Sequence, residues 1–534
     1  MLKKTVAEQP TRRDFMKVAA LAAGAAVPLP AMAAPAPAVA IKRGGTLVHA
    51  NNWTVPTMDA HLTTHLENVV YESLYNGLVR LQLADPKTWE HKVVGDLAES
   101  WQQPDAKTII FKLRQGVKFH DGSDFDAEVA KWNLLRARDH AKSQLKSGLS
   151  PIASVETLDK NTLQIKAKSD NAALLRVLAH NTGGLVRMIS KAAMDKVGEE
   201  AYARNPVGTG PFKFKQWITD DRVILVRNPD YFDKGADGKP LPYLDEFITR
   251  YIPDPSVSLV DMRAGAVHFL QWALPKDVAT IRSNPDLTLE ELPWAGQIYF
   301  KVGYNTRATP FNDVRVRQAA NYGIDRVAMH KALGFDVGAP YYYPYWIPGT
   351  LGYDDTIMKY EYNPAKVKEL LTAAGYPDGV SVELKVIARE PENTIGEFVQ
   401  QMWSAVGLKT KLVSMERLSW IDAVRANRFQ ACFWRGALWA FVDPESARTL
   451  IACGAQTNWA NWCDPEVDKL LNEGLVTLDA RRRQVIYRNM WQTIQERAYA
   501  GTGFLAPMLN AYRKDVQGVT YNFTTPTMAG VWMK

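Results

Sequence analysis

The chain has 534 residues, more than one ordinary hydrophobic core accommodates, so we expect two or three domains. The formal charge is +7, but the basic residues are dispersed and form no long run, which argues against nucleic-acid binding. The three cysteines, Cys432, Cys453 and Cys463, lack the CxxC or Cys/His spacing of a structural zinc site. We therefore expect neither a metal nor a cofactor.

The first forty residues have the order of an export signal. Thr11–Lys17 resembles the twin-arginine export motif, and the apolar stretch Val18–Leu29 that follows is too short for a transmembrane helix. Small residues then offer cleavage after Ala33 or after Ala40. The alternative is the start of a basic amphipathic helix. Because charge, apolar run and cleavage site occur in the right order, we expect the twin-arginine export machinery to deliver the protein to the periplasm.

Short strands and amphipathic helices alternate along the mature chain. Alternating or β-prone apolar residues predict strands, and apolar residues every three or four positions predict helices. The predicted strands are Thr46–Ala50, Thr108–Leu113, Phe212–Phe214, Ser381–Ile387 and Lys409–Ser414. The predicted helices are Glu67–Gly77, a helix capped by Asp126, Asp313–Leu333, Asn363–Tyr376 and Thr394–Val406. This alternation indicates an α/β protein with a mixed sheet.

Two short motifs could indicate chemistry in isolation. Gly208 and Gly210 resemble part of a phosphate loop, but the Lys-Ser/Thr and the helix of such a loop do not follow, which favours a structural turn. His61 and His65 have the spacing of a zinc metalloprotease. Leu62, however, occupies the position where that enzyme needs a general-base Glu, so we expect no metal site.

An exported hydrolase is the alternative of another class. The sequence contains neither a GxSxG nor an HExxH motif. His120 and Asp121 could form a catalytic pair, but within Phe119–Gly122 the simpler interpretation is a turn whose polar side chains satisfy backbone groups. We therefore expect a protein that is not an enzyme.

Five stretches, spread over nearly all of the mature chain, resemble one protein family. They are Asp96–Trp101, Leu113–Gly122, Asn205–Phe212, Tyr304–Ala319 and Tyr362–Pro377, of which Leu113–Gly122 is the most specific. Together they are similar to the family 5 extracellular solute-binding proteins, the group that includes dipeptide- and oligopeptide-binding receptors.

The resemblance implies a two-lobed periplasmic-binding-protein clamshell, class II-like and of the large three-segment type, with mixed β-sheets and an extra subdomain in lobe I. It implies the substrate-binding protein of an ABC transporter, a monomer that captures a small solute between its lobes and delivers it to inner-membrane permease subunits. The predicted segments are 1–33 signal peptide, 34–44 flexible leader, 45–290 lobe I with an inserted subdomain at about 79–205, 291–507 lobe II, and 508–534 return to lobe I.

The resemblance also places a ligand-binding segment at Trp434–Glu445. In peptide receptors of the family, an Asp four residues after the glycine that matches Gly436 holds the peptide's α-ammonium, whereas this chain has Ala440 there. A buried ammonium without an acidic partner costs several kcal/mol. We therefore expect a ligand other than a free-amine peptide bound in the usual way. A peptide receptor remains the alternative, because Asp443 could substitute if the loop were shifted, although its acid also has a structural interpretation.

Aromatic residues are the other candidate ligand contacts. Trp439 and Phe441 offer flat apolar surface for an aromatic ring, a sugar face or a peptide side chain, and Arg435 could face a carboxylate. The resemblance implies that the extended segment Tyr341–Pro348 lies in lobe II near the cleft. Core packing is the alternative for all of these side chains. The further candidates are Tyr343, Tyr345, Trp346 and, close to the first crossing between the lobes, Trp294.

Two of the three cysteines, Cys453 and Cys463, are ten residues apart. Because the destination is oxidising and Cys453 and Cys463 bracket a short loop, we expect a disulfide between them and a buried free thiol at Cys432. Sugars, opines, aromatic acids, glutathione-like peptides, metal chelates and haem remain open as ligand classes.

Overall fold

The computed structural model describes residues 41–63, 69–179, 185–335, 337–437, 443–455, 457–458 and 460–534, with the backbone alone for 297–299 and 434–437. The fold described below is that of the compact unit Lys42–Lys534. The predicted signal peptide and most of the predicted leader lie outside the described residues. Within those ranges, no helix combines the length and the apolar character that crossing a membrane requires.

The strands are short except for two that lie in the middle of the largest sheet. They are β1 Thr46–Asn51, β2 Val79–Asp85, β3 Glu90–Gly95, β4 Ala98–Asp105, β5 Thr108–Leu113, β6 Ile152–Asp159, β7 Thr162–Ala167, β8 Phe212–Ile218, β9 Arg222–Arg227, β10 Glu246–Tyr251, β11 Phe269–Gln271, β12 Leu287–Tyr304, β13 Ala339–Pro340, β14 Val380–Ile387, β15 Leu408–Met415, β16 Ala431–Ala437, β17 Ala500–Thr502, β18 Phe504–Arg513, β19 Val516–Gln517, β20 Thr520–Asn522, β21 Thr525–Thr527 and β22 Trp532–Met533.

Aspartates cap many of the helices, because a short side-chain oxygen can accept hydrogen bonds from the free amides of the first turn. The helices are α1 Val69–Leu74, α2 Ala127–Asp139, α3 Lys146–Leu149, α4 Leu174–Ala179, α5 Lys191–Val197, α6 Glu199–Tyr202, α7 Pro255–Arg263, α8 Val278–Ser283, α9 Val314–Tyr322, α10 Arg326–Leu333, α11 Pro364–Ala373, α12 Glu392–Ala405, α13 Arg417–Arg425, α14 Arg448–Ile451, α15 Pro465–Val476 and α16 Ala480–Glu496.

The single helix predicted for Asp313–Leu333 is wrong, since the segment forms the two helices α9 and α10. Gly323 ends α9. The side chain of Asp325 then accepts a hydrogen bond from the backbone N of Ala328 and starts a new helix. The predicted cap at Asp126 is confirmed, because its side chain accepts from the backbone N of Val129.

Twelve of the described strands form one mixed sheet, whose main path runs β15-β14-β16-β12-β18-β11-β1-β10-β9-β8. In its middle, β12 and β18 pair antiparallel, with a register shift between Leu292 and Gln297. Beyond this shift β12 also pairs with β16. The two long strands therefore connect both halves of the sheet, and the predicted lobe boundaries at 290/291 and 507/508 fall inside them.

Two smaller sheets have four described strands each, in the orders β4-β5-β7-β6 and β21-β20-β2-β3. The second sheet joins distant parts of the chain, since Gln82 of β2 pairs with Asn522 of β20. The C-terminal strand β18 likewise pairs with β11. The last part of the chain is thus held by hydrogen bonds to strands of the N-terminal half.

Buried apolar side chains hold these elements together, because removing apolar surface from water stabilises the folded state. Two of the clusters among the described residues are large. One gathers residues of the N-terminal half, the loop Tyr341–Ile347, and helices α15 and α16. The other surrounds Phe300, Trp403 and Phe433. The first cluster therefore joins residues of predicted lobe I with residues of α15 and α16, which the predicted segments place in lobe II.

Candidate ligand-binding site

The parallel strands β1 and β11 pair near the middle of the main sheet. Asn51 and Gln271 are their last residues. In open α/β sheets, ligands bind in the crevice beyond the carboxyl ends of such strands. The loops that follow β1 and β11 are therefore the candidate site on this side of the sheet.

These two loops place Trp53 and Trp272 against each other. Their ring centroids are 6.1 Å apart and the ring planes differ by 18°, so the indoles are stacked. Both side chains are half-buried. Neither residue is among those predicted from the sequence. The sequence feature that could have indicated the pair is a tryptophan shortly after each of two β-prone runs. It indicates a shared site only once the pairing of β1 with β11 is known.

A chain of hydrogen bonds supports the backbone of Trp272. Its N–H donates to Oδ1 of Asn510 at 3.4 Å, and Nδ2 of Asn510 donates to the hydroxyl of Tyr521 at 2.9 Å. The hydroxyl of Tyr521 in turn donates to the carboxylate of Glu290. Burial raises the pKa of Glu290. The loop after β11 is therefore tied to β12, to β18 and to the C-terminal strand β20.

The predicted segment around Gly436 is described in part. Trp439, Ala440 and Phe441 lie outside the described residues. Arg435 lies in β16, where the backbone is described and the side chain is not. The ligand contacts predicted for these four residues therefore remain predictions.

Asp443 is buried and already has partners within the protein. One of its carboxylate oxygens accepts from the backbone N of Glu445 at 3.1 Å and so caps the short 3₁₀ helix Pro444–Ala447. Nη2 of Arg483 lies 3.1 Å from the other oxygen. Burial lowers the pKa of Arg176, and the nearby Asp443 opposes that effect. These contacts support the structural interpretation of Asp443, because its charge is balanced by arginine.

The aromatic loop, which is the segment Tyr341–Pro348, contributes side chains to the core. Trp346 is fully buried and stacks on Trp491 of α16, with centroids 4.9 Å apart. The hydroxyl of Tyr343 donates to the carbonyl of Ile357 at 2.9 Å. Both residues belong to the large N-terminal core, which supports the packing alternative for this part of the loop.

Tyr345 has a charged neighbour. Nζ of Lys301, on β12, lies 3.6 Å from the centroid of the Tyr345 ring, which is a cation–π contact. Both side chains are buried. Burial lowers the pKa of Lys301 well below its usual range. Burial therefore disfavours the charged form of Lys301, and the contact with the ring face opposes this effect.

Trp294 lies on β12 and is half-buried. Its Nε1 donates to the carbonyl of Lys87 at 2.9 Å, and its ring centroid lies 6.1 Å from that of Tyr341. Trp294 therefore links the first half of β12 to the turn between β2 and β3 and to the aromatic loop.

The histidines considered for chemistry are held by hydrogen bonds within the protein. His61 is buried, with Nε2 3.0 Å from the carbonyl of Arg187 and Nδ1 2.9 Å from Nη1 of Arg136. Burial lowers the pKa of His61 to about 4. His65 lies outside the described residues. Across the described part of the chain, no cluster of His, Cys, Asp and Glu could hold a metal ion.

His120 joins two of the motifs that the sequence analysis singled out. Its Nδ1 accepts from the backbone N of Gly208 at 3.3 Å, and its Nε2 lies 3.0 Å from the carbonyl of Gly210, to which it donates. A Cβ atom on Gly208 would lie 2.0 Å from the carbonyl oxygen of Leu74. The glycines therefore allow close backbone packing, as the structural-turn interpretation predicted.

The cysteines form one pair. The sulfur atoms of Cys453 and Cys463 are 2.05 Å apart, which is a disulfide bond. Cys432 is free and buried in β16. Burial raises the pKa of its thiol.

Comparison with known proteins identifies the family and the fold of this chain. Residues 92–458 match the sequence profile described as bacterial extracellular solute-binding proteins, family 5 Middle. The matched stretch contains strands β8 to β16 of the large sheet, the aromatic loop and the segment around Gly436. The chain belongs to this family, whose members are the solute-binding proteins of ABC importers.

Similar proteins cover almost the whole chain. The glutathione-binding protein GsiB of Escherichia coli O1:K1 / APEC is 29% identical over 495 residues, which is 90% of this chain and 92% of that protein. The dipeptide-binding protein of Escherichia coli strain K12 is 27% identical over 83% of this chain and 86% of that protein. The solved structure of HbpA2 from Haemophilus parasuis has a TM-score of 0.80 and 25% identity, and the match covers 92% of this chain and 100% of HbpA2. The two-lobed α/β fold of the periplasmic binding proteins is thereby confirmed.

Proposed function

We propose that this protein captures a small organic solute other than a free-amine peptide bound in the usual way, and that it delivers the solute to an inner-membrane ABC permease. The observation that carries the proposal is that the family's ammonium-binding position lacks an acidic residue in this chain. That position holds Ala440, which has no charge. The nearest acid along the segment, Asp443, is already paired with Arg483 at 3.1 Å.

The physical argument concerns a buried cation. Transferring a ligand's α-ammonium into a closed site requires an acidic partner, since the lost hydration is otherwise not recovered. Using Asp443 for this purpose would leave Arg483, which is buried, without its carboxylate. An uncharged or anionic solute avoids both costs. Related proteins include a glutathione-binding protein and a dipeptide-binding protein, so both ligand types belong in the test.

The proposal is tested by thermal-shift measurements with matched ligand pairs. Each peptide of two to five residues, and glutathione, is compared with its N-acetylated form, alongside sugars, opines and aromatic acids. At a ligand concentration a thousandfold above Kd, binding stabilises the folded state by about 4 kcal/mol, which raises Tm clearly. We expect at least one uncharged or anionic compound to raise Tm. We also expect each free peptide and its N-acetylated form to change Tm by similar amounts.

Strong stabilisation by free peptides that N-acetylation abolishes would contradict the proposal and support the peptide-receptor alternative. Incubation of each stabilising compound with the protein, followed by mass spectrometry, also tests the hydrolase alternative. We expect the compound to be recovered unchanged. Turnover by the purified protein would contradict a pure transport role.

We further propose that the protein reaches the periplasm through the twin-arginine pathway. The support is the sequence from Thr11 to Leu29, where paired arginines precede an apolar run. Replacing Arg12 and Arg13 by Lys should leave the precursor in the cytoplasm, as measured by immunoblotting of cell fractions. Normal periplasmic amounts of the double variant would show that another export route is used.

The same proposal assigns two lobes, 45–290 with 508–534 and 291–507, as a monomer that closes over its solute. Its support is the path of β12 and β18 through the middle of the sheet, since the assigned boundaries fall within these strands. Two crossings permit rotation about two linkers, the common way in which domains close around a ligand.

A further inference from the structure

Most large aromatic side chains singled out above are buried and have packing roles, whereas the Trp53–Trp272 pair differs in position. Both indoles are half-buried on loops that follow the carboxyl ends of adjacent parallel strands. The two nearly parallel indoles, stacked at 6.1 Å and 18°, lie beyond the carboxyl ends of these strands, where ligands bind in folds of this type.

The backbone at Trp272 adds a second, independent observation. Its φ angle is +63°, in the left-handed region that is unfavourable for a bulky side chain. Such conformations persist where the surrounding structure enforces them, and they cluster at ligand-binding sites. Here Asn510 and Tyr521, both buried, hold the loop through the hydrogen bond that Trp272 N–H donates to Asn510.

Trp53 is held in a comparable way from β1. Its backbone N donates to Oδ1 of Asn51, the buried last residue of that strand, at 3.3 Å. Each tryptophan is thus positioned by an asparagine on a strand of the main sheet. A rigid support reduces the conformational entropy that a binding surface loses when a ligand arrives.

We propose that Trp53 and Trp272 together form a stacking surface that selects solutes with a flat face, an aromatic ring or the apolar face of a sugar ring. Aromatic surfaces bind such faces by burying apolar area and through the quadrupole of the indole. The inference rests on the proposed function, and it narrows the solute class of the same site to flat-faced compounds.

The test measures binding by calorimetry for matched probes that differ in flatness. The probes are phenylacetate and cyclohexylacetate, indole-3-acetate and octanoate, and phenyl β-glucoside and sorbitol. We expect the flat member of at least one pair to bind clearly more tightly than its partner. In Trp53→Ala and Trp272→Ala, that preferred probe should bind about 10- to 100-fold more weakly, the usual effect of removing one stacking partner.

Two further variants separate stacking from folding. Trp272→Gly removes the ring and also suits the positive φ, so it should melt at a higher temperature than Trp272→Ala and still bind as weakly. Trp53→Phe keeps a ring and should recover part of the affinity. Trp132→Ala, on α2, removes a half-buried tryptophan outside these loops and should bind like the unaltered protein.

Equal binding of flat and non-flat members, or unchanged affinity in both alanine variants, would overturn the stacking surface. If flat probes fail while other compounds of the thermal-shift panel bind, the inference falls and the proposed function stands. If no compound of either panel binds, both fall.

Discussion

His120 shows how one half-buried side chain fixes two turns that are distant in sequence. The imidazole lies between the turn Phe119–Gly122 and the glycine turn around Gly208. Because Nδ1 faces the Gly208 N–H and Nε2 faces the Gly210 carbonyl, the neutral form with a proton on Nε2 fits both. Burial lowers the pKa of His120 to about 4, from its ordinary value of 6.5.

This shift predicts a pH dependence of stability. The unfolded chain binds a proton on His120 below pH 6.5, whereas the folded protein does so only near pH 4. The stabilising contribution is therefore complete above pH 6.5 and is lost as the pH falls toward 4, by up to about 3 kcal/mol. In urea unfolding at pH 7.5, 6.5, 5.5 and 4.5, His120→Gln should be less stable at pH 7.5 and should lose less stability on acidification. Parallel pH profiles for the two proteins would contradict this assignment.

The sequence identifies aromatic residues as candidate ligand contacts, but it does not show which of them face the cleft and which pack in the core. An aromatic run such as Tyr341–Trp346 is equally compatible with a cleft and with a core. The packing of Trp346 on Trp491 of a distant helix supports core packing for Trp346. Trp53 and Trp272 were missed for the same reason. Their stacking depends on the pairing of β1 with β11, which local patterns do not reveal.

Local signals specified the elements well where caps and periodicity agreed. The helix predicted from Asn363 is α11, since the Asn363 side chain accepts from the backbone N of Lys366 and a proline follows the cap. The strand predicted at Ser381–Ile387 is β14, one residue longer. Between α9 and α10 periodicity continued across a real break, because apolar residues keep a similar spacing on both sides of Asp325. Caps therefore locate helix ends more reliably than hydrophobic spacing does.

The order of strands in the sheets depends on pairing between strands that are far apart in sequence. The sheet that joins β2 to β20, and the pairing of β11 with β18, connect residues more than two hundred positions apart. No local pattern encodes such pairings, and the family resemblance implied only that residues 508–534 return to lobe I. The resemblance in turn depended on motifs such as Leu113–Gly122 and Asn205–Phe212, which the structure brings together through His120.

In the molecule as a whole, β12 and β18 are the strands that connect the two proposed lobes. They lie in the middle of the main sheet, and the register shift between Leu292 and Gln297 falls close to the assigned lobe boundary. In the proposed lobe assignment, the two ends of each of these strands belong to different lobes. A solute that binds the closed arrangement shifts the population of arrangements by its difference in affinity between them.

Small-angle X-ray scattering of the mature protein, with and without a compound that raises Tm, tests the central claim most directly. We expect the radius of gyration to fall on saturation toward the value of a compact chain of about 500 residues, roughly 23 Å. Calorimetry on the same samples establishes saturation. A radius of gyration that is unchanged at saturation would contradict capture of the solute by closure of two lobes.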